Sequence, residues 1–302
     1  MSRWMTYDNG AGDRVGLVDG ETILGLPEGE TLLGLIQAGD LEVAAHRARE
    51  TPAETVAVAD VTVRPLLTPP ALRDAMCFHE HIRNCRPNEN DERHSQYPFF
   101  WYGNPHTIVG AHDEVRVPPE SQKFDYELEV GAVIGRAGEN LTPEEAEDAI
   151  VGYTIFCDWS ARDLQRERLV TIKGKDGATT LGPVLVTKDE IEDRRKGKSY
   201  DLDMVVRRNG EEFTRGNWST INWSFGDIVS YVSRGARVAA GDVIGSGTVG
   251  WGCLLEWDIS ASDRFPGWLK PGDRVELEIE SIGSLDHTIA ESVDWHPLSS
   301  GR

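Results

Sequence analysis

One segment constrains this chain more than any other: Lys123-Phe124-Asp125-Tyr126-Glu127-Leu128-Glu129-Val130-Gly131, in which apolar and acidic residues alternate. In an extended backbone, Phe124, Tyr126, Leu128 and Val130 share one face, and Asp125, Glu127 and Glu129 share the other. Same-face neighbours stand roughly 7 Å apart, where two such charges repel by about 2 kcal/mol at an effective dielectric near 20. Acids are also depleted in strands. Water, cationic side chains or a bound metal must offset that cost. A solvated outer face of an edge strand is one solution; a cation gripped by several oxygens is the other.

A second passage bears on that choice. Asp158 follows the apolar run VGYTIFC and precedes Ser160-Ala161-Arg162-Asp163-Leu164-Gln165. Ser160 is expected to cap a short helix with Asp163 at its third position, which would set Arg162 and Gln165 on one helical face beside the Asp158 carboxylate. Several carboxylates without His or Cys partners suit a hard cation bound by oxygen: Mg2+, Mn2+ or Ca2+.

Charge and composition narrow the class. Among 302 residues, 51 are acidic and 31 basic, a formal net charge of −20, so nucleic acid and anionic membrane surfaces are poor partners. A small anionic substrate is still admitted where a few cations gather. With 39% hydrophobic residues the chain has a sizeable core and is neither disordered nor collagen-like. Cys77, Cys85, Cys157 and Cys253 form no C-x-x-C pair and read as reduced thiols. The opening MSRWMTYDNGAGDRVG lacks a signal-peptide pattern, and no apolar run approaches a membrane span. A soluble, cytoplasmic protein is expected.

Residues 1–66 read as a small N-terminal α/β unit. MTYD, RVGLVDG and ETILGLP are strand-like, Asp19-Gly20 is a hairpin turn, and TLLGLIQAGDLEVAAHRARE has helical spacing interrupted by Gly39. The proline-rich RPLLTPP marks a boundary, and residues 67–302 form the second, catalytic domain. There FDYELEVGAVIG, VGYTIFCDW, GPVLV, LDMVVRRNGEEFTRG and DRVELEIESIGSLDHTI favour strands. Thr142-Pro143-Glu144-Glu145 opens a helix with a capping box, and Ser224 opens another before FGDIVSYVSR. Strands and helices do not alternate, so a doubly wound sheet is not expected; a mixed, mainly β (α+β) architecture is. Gly245-Ser246-Gly247-Thr248-Val249-Gly250 matches G-x-G-x-x-G only as text, because WGCLLEW after it reads as a strand.

These motifs together resemble the fumarylacetoacetate hydrolase superfamily over most of residues 70 to 290. The resemblance rests on the E-x-E of Glu127 and Glu129, on DWSARDLQ (158–165), on GKDGATTLGP (174–183) and on the late GSGTVGWGCLLEW. It is to the longer branch, that of the fumarylacetoacetase C-terminal catalytic domain, and it implies a mixed β-sandwich roll. It also implies metal ligation by Glu127, Glu129 and Asp158. Asp74, seven residues before His81, joins them by similarity to the longer branch. His81 in CFHEHIRNC is implied as the base, with Glu256 orienting it; shorter members carry a glutamate three residues after the histidine, where this chain has Asn84. Lys175 is implied as the cation at the developing negative charge, with the Thr179 hydroxyl near the metal. Arg162 and Gln165 are implied to hold substrate carboxylate or carbonyl groups, and Tyr102 corresponds to a substrate tyrosine. Residues 86 to 96, RPNENDERHSQ, suggest a lid.

The implied reaction is hydrolysis of a carbon–carbon bond in a 1,3-dicarbonyl or 2-oxo acid, acylpyruvate- or fumarylacetoacetate-like, through an enolate held by Mg2+ (or Mn2+ or Ca2+). Decarboxylation, hydration and tautomerisation of a 2-oxo acid can use the same groups. A homodimer is implied as well. The reading from another class is a non-catalytic protein with a structural divalent cation.

Overall fold

Alternation along the strands decides which residues face which layer. The computed structural model describes residues 2–87, 92–165, 171–297 and 299. Its main feature is a twelve-stranded mixed sheet, whose path runs Glu54–Ala57, Thr22–Gly25, Asp13–Asp19, Arg3–Asp8, Thr179–Thr187, Ile150–Asp158, Leu128–Ile134, Val243–Gly245, Leu72–Met76 and Phe99–Tyr102. Thr62–Val63 pairs off this path with Arg3–Asp8, and Ile108–Val109 pairs with Thr179–Thr187. A five-stranded sheet (Glu211–Asn217, Asp203–Arg208, Arg274–Ile279, Gly283–Ala290, Val115–Arg116) accompanies it.

Val130, Ala132, Ile134, Tyr153, Ile155 and Cys157 share a core with Val206, Val275, Leu277 and Leu285 of the five-stranded sheet. The opposite face, carrying Val133, Phe156, Leu181 and Leu185, packs with Leu32, Leu35, Ile36 and Ala44 of the helices Leu32–Ala38 and Leu41–Glu50. Both faces of the central strands are covered, so Leu128–Ile134 is buried at every position. This is the β-rich sandwich roll that the sequence implied.

Several local expectations are met. Thr142 caps Pro143–Ala149 with a reciprocal Glu145 capping box, and Ser224 does the same for Phe225–Val232 with Asp227. Gly39, at φ 72°, separates the two N-terminal helices. The strands of the first 66 residues are hydrogen-bonded into the large sheet, with Trp4 opposite Leu185 and fully buried. The 66/67 division is therefore crossed by sheet pairing and by core.

Two expectations are overturned. WGCLLEW is not a strand: Leu254–Ser260 is an α-helix with Cys253 at its N-cap, so the strand argument against a dinucleotide turn there no longer stands. Ser160 caps no helix: Ser160–Ala161 is a short strand paired with Phe124–Asp125, and residues 162–165 form a turn. Asp163 instead accepts hydrogen bonds from Ser121 Oγ (2.8 Å) and the Gln122 amide (2.6 Å). No helix among the described residues is long and apolar enough to cross a membrane.

Candidate active site

Three neighbouring strands bring carboxylates from distant positions to one place. Gly245 pairs with Gly131 on one side and with Asp74 on the other. Because Gly245 has no side chain, Asp74 and Glu129 approach each other across it; a Cβ there would lie 2.5 Å from Asp74 Oδ1 and 2.8 Å from Glu129 Oε2. Glu127 sits in the break between Phe124–Asp125 and Leu128–Ile134. Asp74, Glu127 and Glu129 each offer an oxygen within 4.8 Å of the others. Asp158, at the end of Ile150–Asp158, joins them through Lys175, whose Nζ lies 2.7 Å from Asp158 Oδ2 and also contacts Glu127 Oε2. All four acids are buried. The solvated-edge alternative is thereby excluded for Glu127 and Glu129.

Burial makes the bonding of these oxygens decisive. Glu129 Oε2 accepts the Gly247 amide at 2.8 Å. No N–H or hydroxyl among the described residues reaches Asp74 Oδ1, Asp74 Oδ2, Glu129 Oε1 or Asp158 Oδ1. A buried charged oxygen without a partner is costly, so protons or a cation must neutralise the group. Burial, the largest cause in each case, pushes the carboxyls of Asp74, Glu129 and Asp158 above their ordinary range. Burial would raise Glu127 too, but Arg162 and then Lys175 outweigh it and hold this carboxyl at about 2. An all-oxygen, multi-carboxylate donor set fits Mg2+, Mn2+ or Ca2+.

A second group faces the same space. His81, in the helix His79–Cys85, donates from Nδ1 to Glu256 Oε1 at 2.8 Å. Glu256 Oε2 accepts from Asn84 Nδ2 and from the Trp251 amide, both at 2.7 Å. Asn84, at the position where shorter family members have the orienting glutamate, thus supports the substitute supplied by another helix. Burial would lower the His81 pKa, but the Glu256 charge outweighs it and raises it well above the usual value.

Asp125 leaves the acidic row that the alternation predicted, because the extended run breaks at Tyr126 and Glu127. Its Oδ1 accepts the Leu254 amide (2.8 Å) and its Oδ2 the Leu255 amide (3.0 Å), at the start of the helix carrying Glu256. Asp125 Oδ2 also accepts from Arg162 Nε at 2.8 Å, while Arg162 Nη2 ion-pairs with Glu127 Oε1 at 2.7 Å.

A cavity of about 360 Å³ is lined by His81, Trp101, Glu127, Arg162, Gln165 and Lys175, among others. Tyr102 is not among its lining residues: it is 59% exposed and lies over Arg73 at 5.2 Å. The cavity aromatic is Trp101, which pairs with Asp74 and has Lys175 Nζ 5.3 Å from its ring centre. A one-residue shift along a strand exchanges faces, and FFWY presents four aromatic rings in succession that the sequence does not rank. Thr179 is buried opposite Asp158 in the adjoining strand. Of the expected lid, residues 88–91 lie outside the described residues; Glu92–Ser95 form a 3-10 turn, with the His94 ring packed on Phe99 at 4.6 Å.

Residues 71–290 match the family described as fumarylacetoacetate (FAA) hydrolase C-terminal. The chain therefore belongs to the fumarylacetoacetate hydrolase family of enzymes. It is 36% identical over 183 residues to the mitochondrial oxaloacetate tautomerase FAHD2A of Homo sapiens, covering 59% of this chain and 54% of that protein. It is 32% identical over 197 residues to oxaloacetate tautomerase YisK of Bacillus subtilis (strain 168), covering 64% and 62%. The matched region thus spans less than two thirds of these relatives. Among solved structures, a fumarylacetoacetate hydrolase from psychrophilic Exiguobacterium antarcticum superposes with a TM-score of 0.76 at 27% identity, over 96% of this chain and 100% of that one.

Two outcomes follow. Asp74, Glu129 and Asp158 hold protons more tightly folded than unfolded, so their stabilising contribution is full below about pH 4 and is lost as pH climbs through the raised values. Glu127 acts in the opposite sense, its contribution present above the ordinary carboxylate range and lost as pH falls toward about 2. A cation competes with protons for these carboxyls, so the rise in Tm given by Mg2+ will be larger at about pH 8 than at about pH 6, with proton release seen by calorimetry in buffers of different ionisation heat. A Mg2+ increment independent of pH, with no protons released, would contradict this arrangement. Gly245→Ala will press a methyl group against Asp74 and Glu129 and weaken Mg2+ binding by roughly 10- to 100-fold, measured by titration on protein of unchanged circular dichroism.

Proposed function

We propose that this chain is a divalent-metal-dependent tautomerase that interconverts the enol and keto forms of a small 2-oxo diacid of the oxaloacetate kind. The observation that carries this reading is His81, held by Glu256, lining the same small cavity as Glu127, Arg162 and Lys175. Enol–keto exchange moves one proton between carbon and oxygen, which requires a base at the carbon and positive charge at the oxygen. The oxaloacetate tautomerases among the relatives support the substrate class.

Asp74, Glu127, Glu129 and Asp158 would hold the cation. When bound, it supplies Lewis-acid polarisation of the substrate carbonyl and an anchor for the adjacent carboxylate. His81 takes the proton at Nε2, because Nδ1 is committed to Glu256, and the Glu256 charge stabilises the imidazolium that results. Arg162, its Nε held by Asp125, presents a guanidinium to the distal carboxylate of a diacid. Lys175 adds positive charge at the oxygen side, and the Trp101 ring closes the wall beside it.

Carbon–carbon hydrolysis, the reaction first implied by the motifs, is the second reading. It is favoured by the same buried histidine, since Nε2 of an oriented imidazole can equally take a proton from water. Ultraviolet decay of enol-oxaloacetate tests the first reading, and chromatography of acylpyruvate and fumarylacetoacetate products tests the second. Tight Mg2+ binding with no turnover in either assay would restore the structural-cation alternative, and activity unchanged by a chelator would overturn the metal-dependent reading. We also take the chain to be a cytoplasmic homodimer, which size-exclusion with light scattering tests as to oligomeric state.

His81→Ala is expected to lower kcat by about 10²- to 10⁴-fold, with Mg2+ binding retained. Glu256→Gln removes the charge that raises the His81 pKa. The acid limb of the kcat/KM profile will therefore move to lower pH. An unmoved profile would remove His81 from the base role.

A further inference from the structure

Two thiols that the proposed reaction does not use lie against His81, one of them, Cys85, in the cavity wall. Cys85 stands one helical turn after His81, and its Sγ lies 3.9 Å from His81 Nδ1 and 3.8 Å from Nε2. Cys253, the buried N-cap of the facing helix, has its Sγ 3.9 Å from His81 Nδ1 and 3.6 Å from Glu256 Oε1. His81, Cys85 and Cys253 each offer a donor atom within 4.8 Å of the others. Tetrahedral zinc with two sulfur and one nitrogen ligand sets its donors roughly 3.5–3.8 Å apart. The sulfur-to-ring-nitrogen separations, 3.8 and 3.9 Å, are within a few tenths of an ångström of that.

We propose that His81, Cys85 and Cys253, with Glu256 at the fourth position, form a second, thiophilic metal site that takes Zn2+ and withdraws His81 from its role as base. Two helices each supply a pair of donors one turn apart, His81 with Cys85 and Cys253 with Glu256. Cys85 lines the cavity, so the site is reached through the same mouth as substrate. The chemistry separates the two centres: the oxygen cluster suits Mg2+, whereas two sulfurs and an imidazole select Zn2+ and exclude Mg2+. Binding sends one proton from each thiol to solvent, and His81 coordinates as neutral imidazole. Two thiolates neutralise the dication, and the Glu256 carboxylate leaves the site with a net charge of about −1. Occupation engages the imidazole that Glu256 orients, so zinc inhibits without touching the four carboxylates.

The binding claim stands on geometry alone; the inhibition claim rests on the proposed role of His81. The experiment separates them. Mg2+-loaded protein without substrate is titrated with Co2+, whose thiolate complexes give a near-ultraviolet charge-transfer band that oxygen-only sites lack. The band is expected to appear in the wild-type protein, to collapse when Zn2+ is added, and to be lost in Cys85→Ser and Cys253→Ser. In turnover assays, the Zn2+ concentration for half-inhibition is expected to rise roughly 10- to 100-fold in Cys85→Ser relative to that variant's own Mg2+-supported rate. Absence of the thiolate band from the wild-type protein overturns the site, even if Cys253→Ser fails to fold. Equal zinc inhibition of wild type and Cys85→Ser overturns the inhibitory role and places the zinc among the carboxylates.

Discussion

Mutual repulsion among Asp74, Glu127, Glu129 and Asp158 is the interaction on which the rest of the site depends. Each is buried, and four negative charges cannot share such a volume without compensation. The fold supplies only part of it. Lys175 reaches Asp158 and Glu127, Arg162 reaches Glu127, and the Gly247 amide reaches one oxygen of Glu129. Two cations against four acids leave a deficit, and it falls on the oxygens of Asp74, Glu129 and Asp158 that no donor meets. Arg162 is moreover shared with Asp125, and a divalent ion would supply positive charge to the oxygens left unmet.

The compensating groups also tie the two halves of the site together. Asp125 lies two residues before Glu127 yet serves the other half: it binds Arg162 and the first amides of the helix that carries Glu256. Arg162 bridges from Asp125 to Glu127. A displacement of the 124–129 segment would therefore move the carboxylate cluster, the guanidinium and the partner of His81 together. Pre-organisation of this kind lets modest side chains work as a unit.

Much of this was legible in the sequence where local chemistry and spatial role coincide. The capping boxes at Thr142 and Ser224 are local, and both helices start there. The cost of the acidic alternation pointed to a shared site, and Glu127 and Glu129 do converge, together with Asp74. What the sequence concealed was set by tertiary contact. Asp125 obeys the same alternation as Glu127 but is drawn away by a helix start some 130 residues later. That helix was itself misread: Leu, Leu and Trp after Gly-Cys fit a buried strand as well as a short helix, and seven residues are too few for periodicity to decide. Tyr102 and Trp101 differ by one position, so only the register against Asp74 shows which faces the cavity. Arg162 and Gln165 do share the cavity, but they reach it from a turn anchored by Asp125 and not from a helix opened by Ser160.

Why one arrangement can serve tautomerisation, decarboxylation or hydrolysis follows from where its selectivity is not built. On the proposed reading, Lys175, Arg162 and a cation held by the carboxylates would all act on oxygen: they would stabilise negative charge on a carbonyl and anchor a carboxylate, which every enolate-forming reaction requires. On the same reading His81 would be the group that distinguishes attack by water from transfer of a proton at carbon, and its Nδ1 is fixed by Glu256 in either case. The outcome is then decided by what lies against Nε2, a water molecule or a substrate carbon, and so by how fully the ligand fills a cavity of about 360 Å³. On the proposed reading, a four-carbon diacid held at its ends by the bound cation and by Arg162 would set its central carbon beside the imidazole. A longer acyl chain would displace that carbon and admit water, and hydrolysis would become the accessible path.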